Sequence, residues 1–236
     1  MRVIVHGGAG SRPARRGTEV HESRESAPET PAAREATLDE AAAAGADAAD
    51  PAAAVVAAVR VLERDPAFNA GVGSVPQADG VIRTDAGLMT GDRAAGAACG
   101  MPGVEAAVEV ARLVKTETPH VLLAGVHAVD LADAFGVETG VDLWTDRQRE
   151  RWDALETHPP VDDVRAQLDW SRDRFGGGDG GDRLGGGERP ADHDTVGAVA
   201  VDGERVAAAT STGGRWLAAA GRVGDVPQVG SGFYAS

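Results

Sequence analysis

Thr195 follows a long glycine-rich, charged tract and opens a clean apolar strand in the run Asp192-His193-Asp194-Thr195-Val196-Gly197-Ala198-Val199-Ala200-Val201. A peptide bond at the tip of a loop, with a hydroxyl nucleophile on the rigid side of it, is what self-cleavage by a threonine requires. Breaking the bond between Asp194 and Thr195 would give Thr195 a free amine beside its own hydroxyl, and that amine can act as its base. Alone, an Asp-Thr pair is ordinary turn-to-strand sequence. Its surroundings give it weight. Thr210-Ser211-Thr212-Gly213-Gly214 ends the next strand, so a hairpin would return these hydroxyls beside Thr195. Further on, Gly221-Arg222-Val223-Gly224-Asp225 sets an arginine and an aspartate three apart in a glycine-bounded loop. Arginine holds a carboxylate bidentately and aspartate holds an ammonium, so together they suit a free amino-acid head group.

The elements that must position these groups follow from pattern. Val196 to Val201, the Asp202-Gly203 turn and Arg205 to Ala209 read as a β-hairpin, and Arg2 to His6 as a first strand. A mobile surface segment is expected over 11–30, then a helix over 31–49. Asp50 and Pro51 form a cap and first-turn pair opening a second helix, with Val55, Val56, Val59 and Leu62 on one face; Asp65-Pro66 stops it. The run Phe68-Asn69-Ala70-Gly71-Val72-Gly73-Ser74 must be a tight loop. Strands are predicted over 81–88 and 94–99, a helix over 104–115 with Val104, Val108, Ala111 and Val114 aligned, and a strand and helix within 121–135. An Arg- and Asp-rich helical stretch carrying Trp152 and Trp170 covers 146–174, before a flexible linker over 176–194.

Taken in order, His6-Gly7-Gly8-Ala9-Gly10, Phe68-Asn69-Ala70-Gly71, Asp194-Thr195-Val196-Gly197, Thr210 to Gly214 and Gly221 to Asp225 resemble the motifs of the plant-type asparaginase and isoaspartyl peptidase family, which are N-terminal nucleophile hydrolases. The resemblance covers nearly the whole chain. It implies an α+β fold, a four-layer αββα sandwich, incomplete at the C-terminus, in one hydrolase domain over 1–236. Cleavage between Asp194 and Thr195 would yield an α part, 1–194, and a short β part, 195–236. By position, the resemblance makes Thr195 the nucleophile with its freed amine as base, Thr212 its hydrogen-bond partner, and Asn69 a neighbour of the nucleophile. Arg222, Val223, Gly224 and Asp225 would bind substrate, Arg222 at the α-carboxylate and Asp225 at the α-ammonium. The turn from Leu62 to Val72 resembles the family's sodium loop, with the backbones of Leu62, Glu63, Asp65, Phe68, Ala70 and Val72 as ligands of a structural sodium ion; catalysis needs no cofactor.

The implied activity is hydrolysis of the side-chain amide of L-asparagine or of β-aspartyl (isoaspartyl) peptides through a threonine-linked ester, so the partner is a small amino acid or dipeptide, in a homodimer of αβ units. Two alternatives stand beside it: a glycosylasparaginase-like hydrolase, and a non-catalytic remnant that binds aspartate-like ligands. Family members continue past Gly230 to Tyr234 into another Thr-Gly-rich motif and further strands, so an exposed apolar sheet edge or face is expected.

Composition narrows the field further. The chain has 236 residues, 42% of them hydrophobic, enough for a real core. Aromatics make up only 4%, so packing must rely on alanine and valine faces at close backbone approach. A net charge of −14, with Lys115 the sole lysine, argues against nucleic acid or an anionic membrane as partner and reads as an acidic, halophilic-type surface. Cys99 is the only cysteine, which with the absence of a recognisable leader or an apolar run of about 18 residues points to the cytoplasm. Other motifs lose to plainer readings. No Gly-x-Ser-x-Gly elbow accompanies His6-Gly7-Gly8, so His6 is read as structural. Gly176 to Gly181 matches a dinucleotide fingerprint only formally, without a preceding strand. Cys99 is read as buried filler, His193 as a solvated loop residue, and scattered Asp and Glu as mostly solvated surface, with Asp194 placed to strain or polarise the scissile bond.

Overall fold

A computed structural model describes residues 1–8, 30–175 and 194–236. The segment expected over 11–30 and the linker expected over 176–194 lie outside these, except for Thr30 and Asp194. In chain order the described elements are β1 (Arg2–His6), α1 (Pro31–Ala46), α2 (Pro51–Arg64), a 3-10 turn (Gly71–Gly73), β2 (Arg83–Thr90), β3 (Ala95–Pro102), α3 (Ala107–Glu117), β4 (Leu122–Ala124), α4 (Val126–Ala134), α5 (Asp146–Asp153), α6 (Val164–Phe175), β5 (Val196–Asp202) and β6 (Arg205–Thr212).

Local chemistry sets the helix starts. Thr30 and Asp50 each accept a hydrogen bond from the backbone three residues on, at 3.1 and 3.0 Å, and each is followed by proline, whose missing amide costs nothing in a first turn. The expected faces are the buried ones: Val55, Val56, Val59 and Leu62 on α2, and Val108, Ala111 and Val114 on α3 with Val104 just ahead of it. The stretch over 146–174 is not one helix. It breaks between α5 and α6 around Pro159 and Pro160, which have no amide to donate to a helical ladder.

One six-stranded sheet runs in the order β1-β5-β6-β2-β3-β4, antiparallel except for the β3–β4 pair. The hairpin β5–β6 sits near its middle, and β6 runs on to Thr212 because β2 continues the ladder with it. On one face Val196, Ala198, Ala200, Ala207, Ala209, Ala86, Leu88 and Ala98 pack against α1 to α4 in an alanine- and valine-rich core. On the other, Met89, Ala97 and Ala208 meet Phe233 and Ala235 of the C-terminal segment. The Phe233 ring lies so close over Gly87 that no side chain fits there. Toward β1 this second face is open: Ile4 and its ladder partner Val199 are 74% and 42% exposed. The described residues thus form a mixed α/β unit with a single sheet and six α-helices.

Candidate active site

The site gathers at one end of the sheet, where β5 begins and β6 ends. The β5–β6 ladder pairs Val196 with Ser211, so one step further Thr195 lies opposite Thr212, and β2 pairs Asp85 with Thr212 on the other side. Side chains alternate along a strand. Ser211 points into the helical layer, where its hydroxyl donates to Glu63 at 2.7 Å, so Thr195, Thr212 and Asp85 share the opposite face in one row across three strands.

The Thr212 hydroxyl donates to the main-chain carbonyl of Asp194 at 3.2 Å and accepts from the Gly214 amide at 3.1 Å. The carbonyl that Thr195 would have to attack is therefore already held by a donor. Asn69 stands behind it. Its Nδ2 donates to the Gly214 carbonyl at 2.7 Å, its Oδ1 accepts from the Val75 amide at 3.2 Å, and its own carbonyl accepts from Gly213 at 2.9 Å. Gly213 is packed so tightly on the buried Ser74 that a methyl group there would overlap it.

Asp194 is 4% exposed. Its side chain lies against Gly8, which has φ +83° and where a Cβ would fall 2.6 Å from the Asp194 Cβ, so only glycine serves. Arg34 reaches the Asp194 carboxylate at 3.7 Å, donates to the Gly7 carbonyl at 3.0 Å and to Ala67, and stacks 4.4 Å over Phe68. The N-terminal glycines, the 67–68 turn and the residue before Thr195 are thereby tied together. His6 pairs with Gly197, its ring packed where a Cβ on Gly197 would sit; burial holds its pKa below the usual histidine value.

Arg222, Val223 and Asp225 are exposed and Gly224 is half-buried, at the rim of this row. The Arg222 guanidinium folds back over its own loop, 3.1 Å from where a Cβ on Gly224 would sit and 3.9 Å from that position on Gly214. It is thereby brought beside the Thr212–Gly214 segment. Asp225 lies three residues on, and its carbonyl accepts from Gln228 at 2.8 Å.

Several residues in this neighbourhood escaped the sequence. Glu63 and Asp85 are buried, not solvated. Glu63 accepts from Val108 at 2.9 Å, Ser211 at 2.7 Å and Arg60 at 2.9 Å; burial raises its pKa in opposition to Arg60. Asp85 accepts from the Gly100 amide at 2.7 Å, and burial pushes its pKa up to about 6 against that bond and the Arg222 charge. Gln77, 4% exposed, donates to the Arg222 carbonyl at 2.9 Å and accepts from Gly221 at 2.7 Å. A carboxylate in the middle of the strand Arg83–Thr90 is the one sequence signal that could have singled out Asp85. Cys99 is buried beside Asp85, and burial raises its thiol pKa to about 11, so it is no nucleophile. His193 lies outside the described residues.

Comparison with known proteins fits this geometry. A family model described as asparaginase matches residues 1–236. The chain belongs to the asparaginase family. Among its relatives, a plant-type L-asparaginase of Pyrococcus abyssi is 41% identical over 189 residues, covering 78% of this chain and 56% of the relative. The isoaspartyl peptidase/L-asparaginases of Bos taurus and Homo sapiens are each 39% identical, covering 77% of this chain and 53% of theirs. The chain thus spans about half the length of the curated relatives it matches. No helix among the described residues is long and apolar enough to cross a membrane.

Proposed function

We propose that this chain is the nucleophile-bearing part of an amidohydrolase that cuts itself between Asp194 and Thr195 and then uses Thr195 on the side-chain amide of L-asparagine or β-aspartyl peptides. One observation carries the reading: the Thr212 hydroxyl on the Asp194 carbonyl, with Thr195 next in the chain and opposite Thr212 in the register. In maturation the Thr195 Oγ attacks that carbonyl carbon, and the oxygen, already accepting from Thr212, takes up the charge. The carbon–nitrogen bond breaks, the nitrogen leaves with the hydroxyl's proton, and water opens the resulting ester. The freed amine, with a reference pKa near 7.7–8.0, then serves as base for turnover. The same oxygen attacks the substrate amide, ammonia or a peptide departs, and an aspartyl ester remains for water to open.

Arg222 holds the substrate α-carboxylate and Asp225 its ammonium, with Val223 and Gly224 forming the wall between them. Names of relatives support both substrates, L-asparagine and isoaspartyl peptides. The open sheet face at Ile4 and Val199 supports a second sheet packed there, completing a four-layer sandwich, and we extend the assembly to a homodimer of αβ units. The buried single cysteine is in keeping with the cytoplasm, and the acidic surface with a salt-rich one.

The loop after α2 suits a structural sodium ion. A Cβ at Gly71 would overlap the Glu63 carbonyl, and one at Gly73 would overlap that of Phe68 and fall 2.8 Å from that of Pro66. Main-chain oxygens crowd this turn, and an all-oxygen donor set fits a hard cation. The backbones of Leu62, Glu63, Asp65, Phe68, Ala70 and Val72 would hold it. The bound ion would supply a fixed positive charge that rigidifies the turn carrying Asn69.

Ammonia release from L-asparagine and aspartate release from a β-aspartyl dipeptide, with Arg222→Ala as the comparison, test the proposal. Turnover of either that is lost in the variant supports it. Turnover unaffected by Arg222→Ala overturns the clamp.

A further inference from the structure

We propose that Arg34 on α1 is a positioning residue of self-cleavage: its guanidinium holds and neutralises the buried Asp194 carboxylate, on the same residue whose carbonyl Thr195 attacks. This rests on the reading of the Asp194–Thr195 bond as the one that is cut. The Asp194 carbonyl accepts from the Thr212 hydroxyl at 3.2 Å, and where it points depends on how the rest of that residue is seated. One side is wedged on Gly8, where a Cβ would fall 2.6 Å from the Asp194 Cβ and 2.8 Å from its Oδ1. The other oxygen, Oδ2, faces the Arg34 Nη2 at 3.7 Å.

Arg34 is itself fixed from three directions. Its Nη2 donates to the Gly7 carbonyl at 3.0 Å, its Nη1 donates to the Ala67 carbonyl, and its guanidinium lies 4.4 Å over the centre of the Phe68 ring. Phe68 is buried, and sits so close on Gly7 that a Cβ there would overlap the ring. An arginine stacked on a buried ring and bonded to two carbonyls is pre-organised, so its charge stays beside the carboxylate. The Arg34 side chain is 21% exposed and that of Asp194 5%, so solvent and salt screen the pair only weakly.

The charge matters because of what the reaction does. Attack by the Thr195 Oγ forms a carbon–oxygen bond and moves an electron pair onto the Asp194 carbonyl oxygen, while the hydroxyl proton ends on the leaving nitrogen. A second negative charge thus develops on a residue that already carries one, in a place where like charges repel more strongly than in water. Arg34 offsets that repulsion as it builds. Were Arg34 only a brace for Gly7 and the 67–68 turn, its effect would not depend on the Asp194 charge.

A double-variant cycle on self-cleavage tests the difference, followed on denaturing gels with thermal melts beside them to show that each chain is folded. Arg34→Met keeps an unbranched chain against Phe68 and removes the cation; Asp194→Asn supplies a background without the carboxylate. Arg34→Met should slow cleavage roughly ten- to a hundredfold when Asp194 is present, the scale of one lost charge-assisted contact, and at least about fivefold less than that in the Asp194→Asn background. Equal slowing in both backgrounds leaves Arg34 a brace and overturns the proposal, as does an Arg34→Met chain that cleaves at the wild-type rate. An Asp194→Asn chain that stays whole also overturns it, because the carboxylate would then itself take part in the reaction. A wild type that never cleaves overturns the self-cleavage reading, and this inference with it, so the two failures are told apart. Should Arg34→Met fail to fold, Arg34→Gln, which keeps a donor amide for the Gly7 and Ala67 carbonyls, takes its place under the same outcomes.

Discussion

Replacing Thr212 by valine removes one hydroxyl and keeps the shape of the side chain. In the structure that hydroxyl makes two contacts, donating to the Asp194 carbonyl at 3.2 Å and accepting from the Gly214 amide at 3.1 Å. The first is the one that strengthens as negative charge develops on the carbonyl oxygen during attack by Thr195. Losing such a donor costs on the order of 10²–10³ in rate, equivalent to about 3–4 kcal/mol of barrier. The second contact acts on the folded chain, since Thr212 is 4% exposed and an unpaired amide beside it costs about 1–3 kcal/mol of stability. A time course of self-cleavage on denaturing gels, read beside a thermal melt, separates the two. Thr212→Val should melt lower yet remain folded, and cleave at least about a hundredfold more slowly. Thr212→Ser keeps the hydroxyl and should stay within about tenfold of the wild type. Equal cleavage rates for the wild type and the valine variant would refute the reasoning, because the hydroxyl would then have no part in the transition state.

Asn69→Ala removes the bonds to the Gly214 carbonyl and the Val75 amide, leaving buried groups unpaired; a fall in stability of about 2–4 kcal/mol in denaturant titration is expected, with slower cleavage. Asp85 carries a pKa raised to about 6, so its contribution to stability is greatest at low pH and is lost as pH rises through that value. The stability of the wild type relative to Asp85→Asn should accordingly fall between about pH 4 and 6.5, by as much as about 3 kcal/mol; a rising difference would contradict this. The net charge of −14 predicts a midpoint of unfolding that increases with added salt, and maximal stability in dilute buffer would count against it.

Much of the frame was legible because it rests on short-range rules. Capping by Asp50 and Pro51, the valine stripe of α2 and the Asp202-Gly203 hairpin each act within a few residues, and each element forms close to where it was expected. The hairpin also foretold the meeting of Thr195 and Thr212. Legibility ended where partners are far apart in the chain. Gln77 and Gly221 are separated by 144 residues, and nothing near either announces the bond between them. Asp85 and Glu63 look like ordinary solvated acids until β3 and β6 are laid beside them. The packing of the His6 ring on Gly197, two residues from Thr195, follows only from the pairing of β1 with β5.

The central claim is that Thr195 becomes an N-terminal residue by attacking the bond that precedes it. Intact-mass measurement and N-terminal sequencing of the purified chain, beside Thr195→Ala, test it most directly. The wild type should convert with time into fragments 1–194 and 195–236, the second beginning Thr-Val-Gly-Ala, while the alanine variant stays whole. A wild type that remains intact under native conditions, or an alanine variant cut at the same bond, would contradict the account.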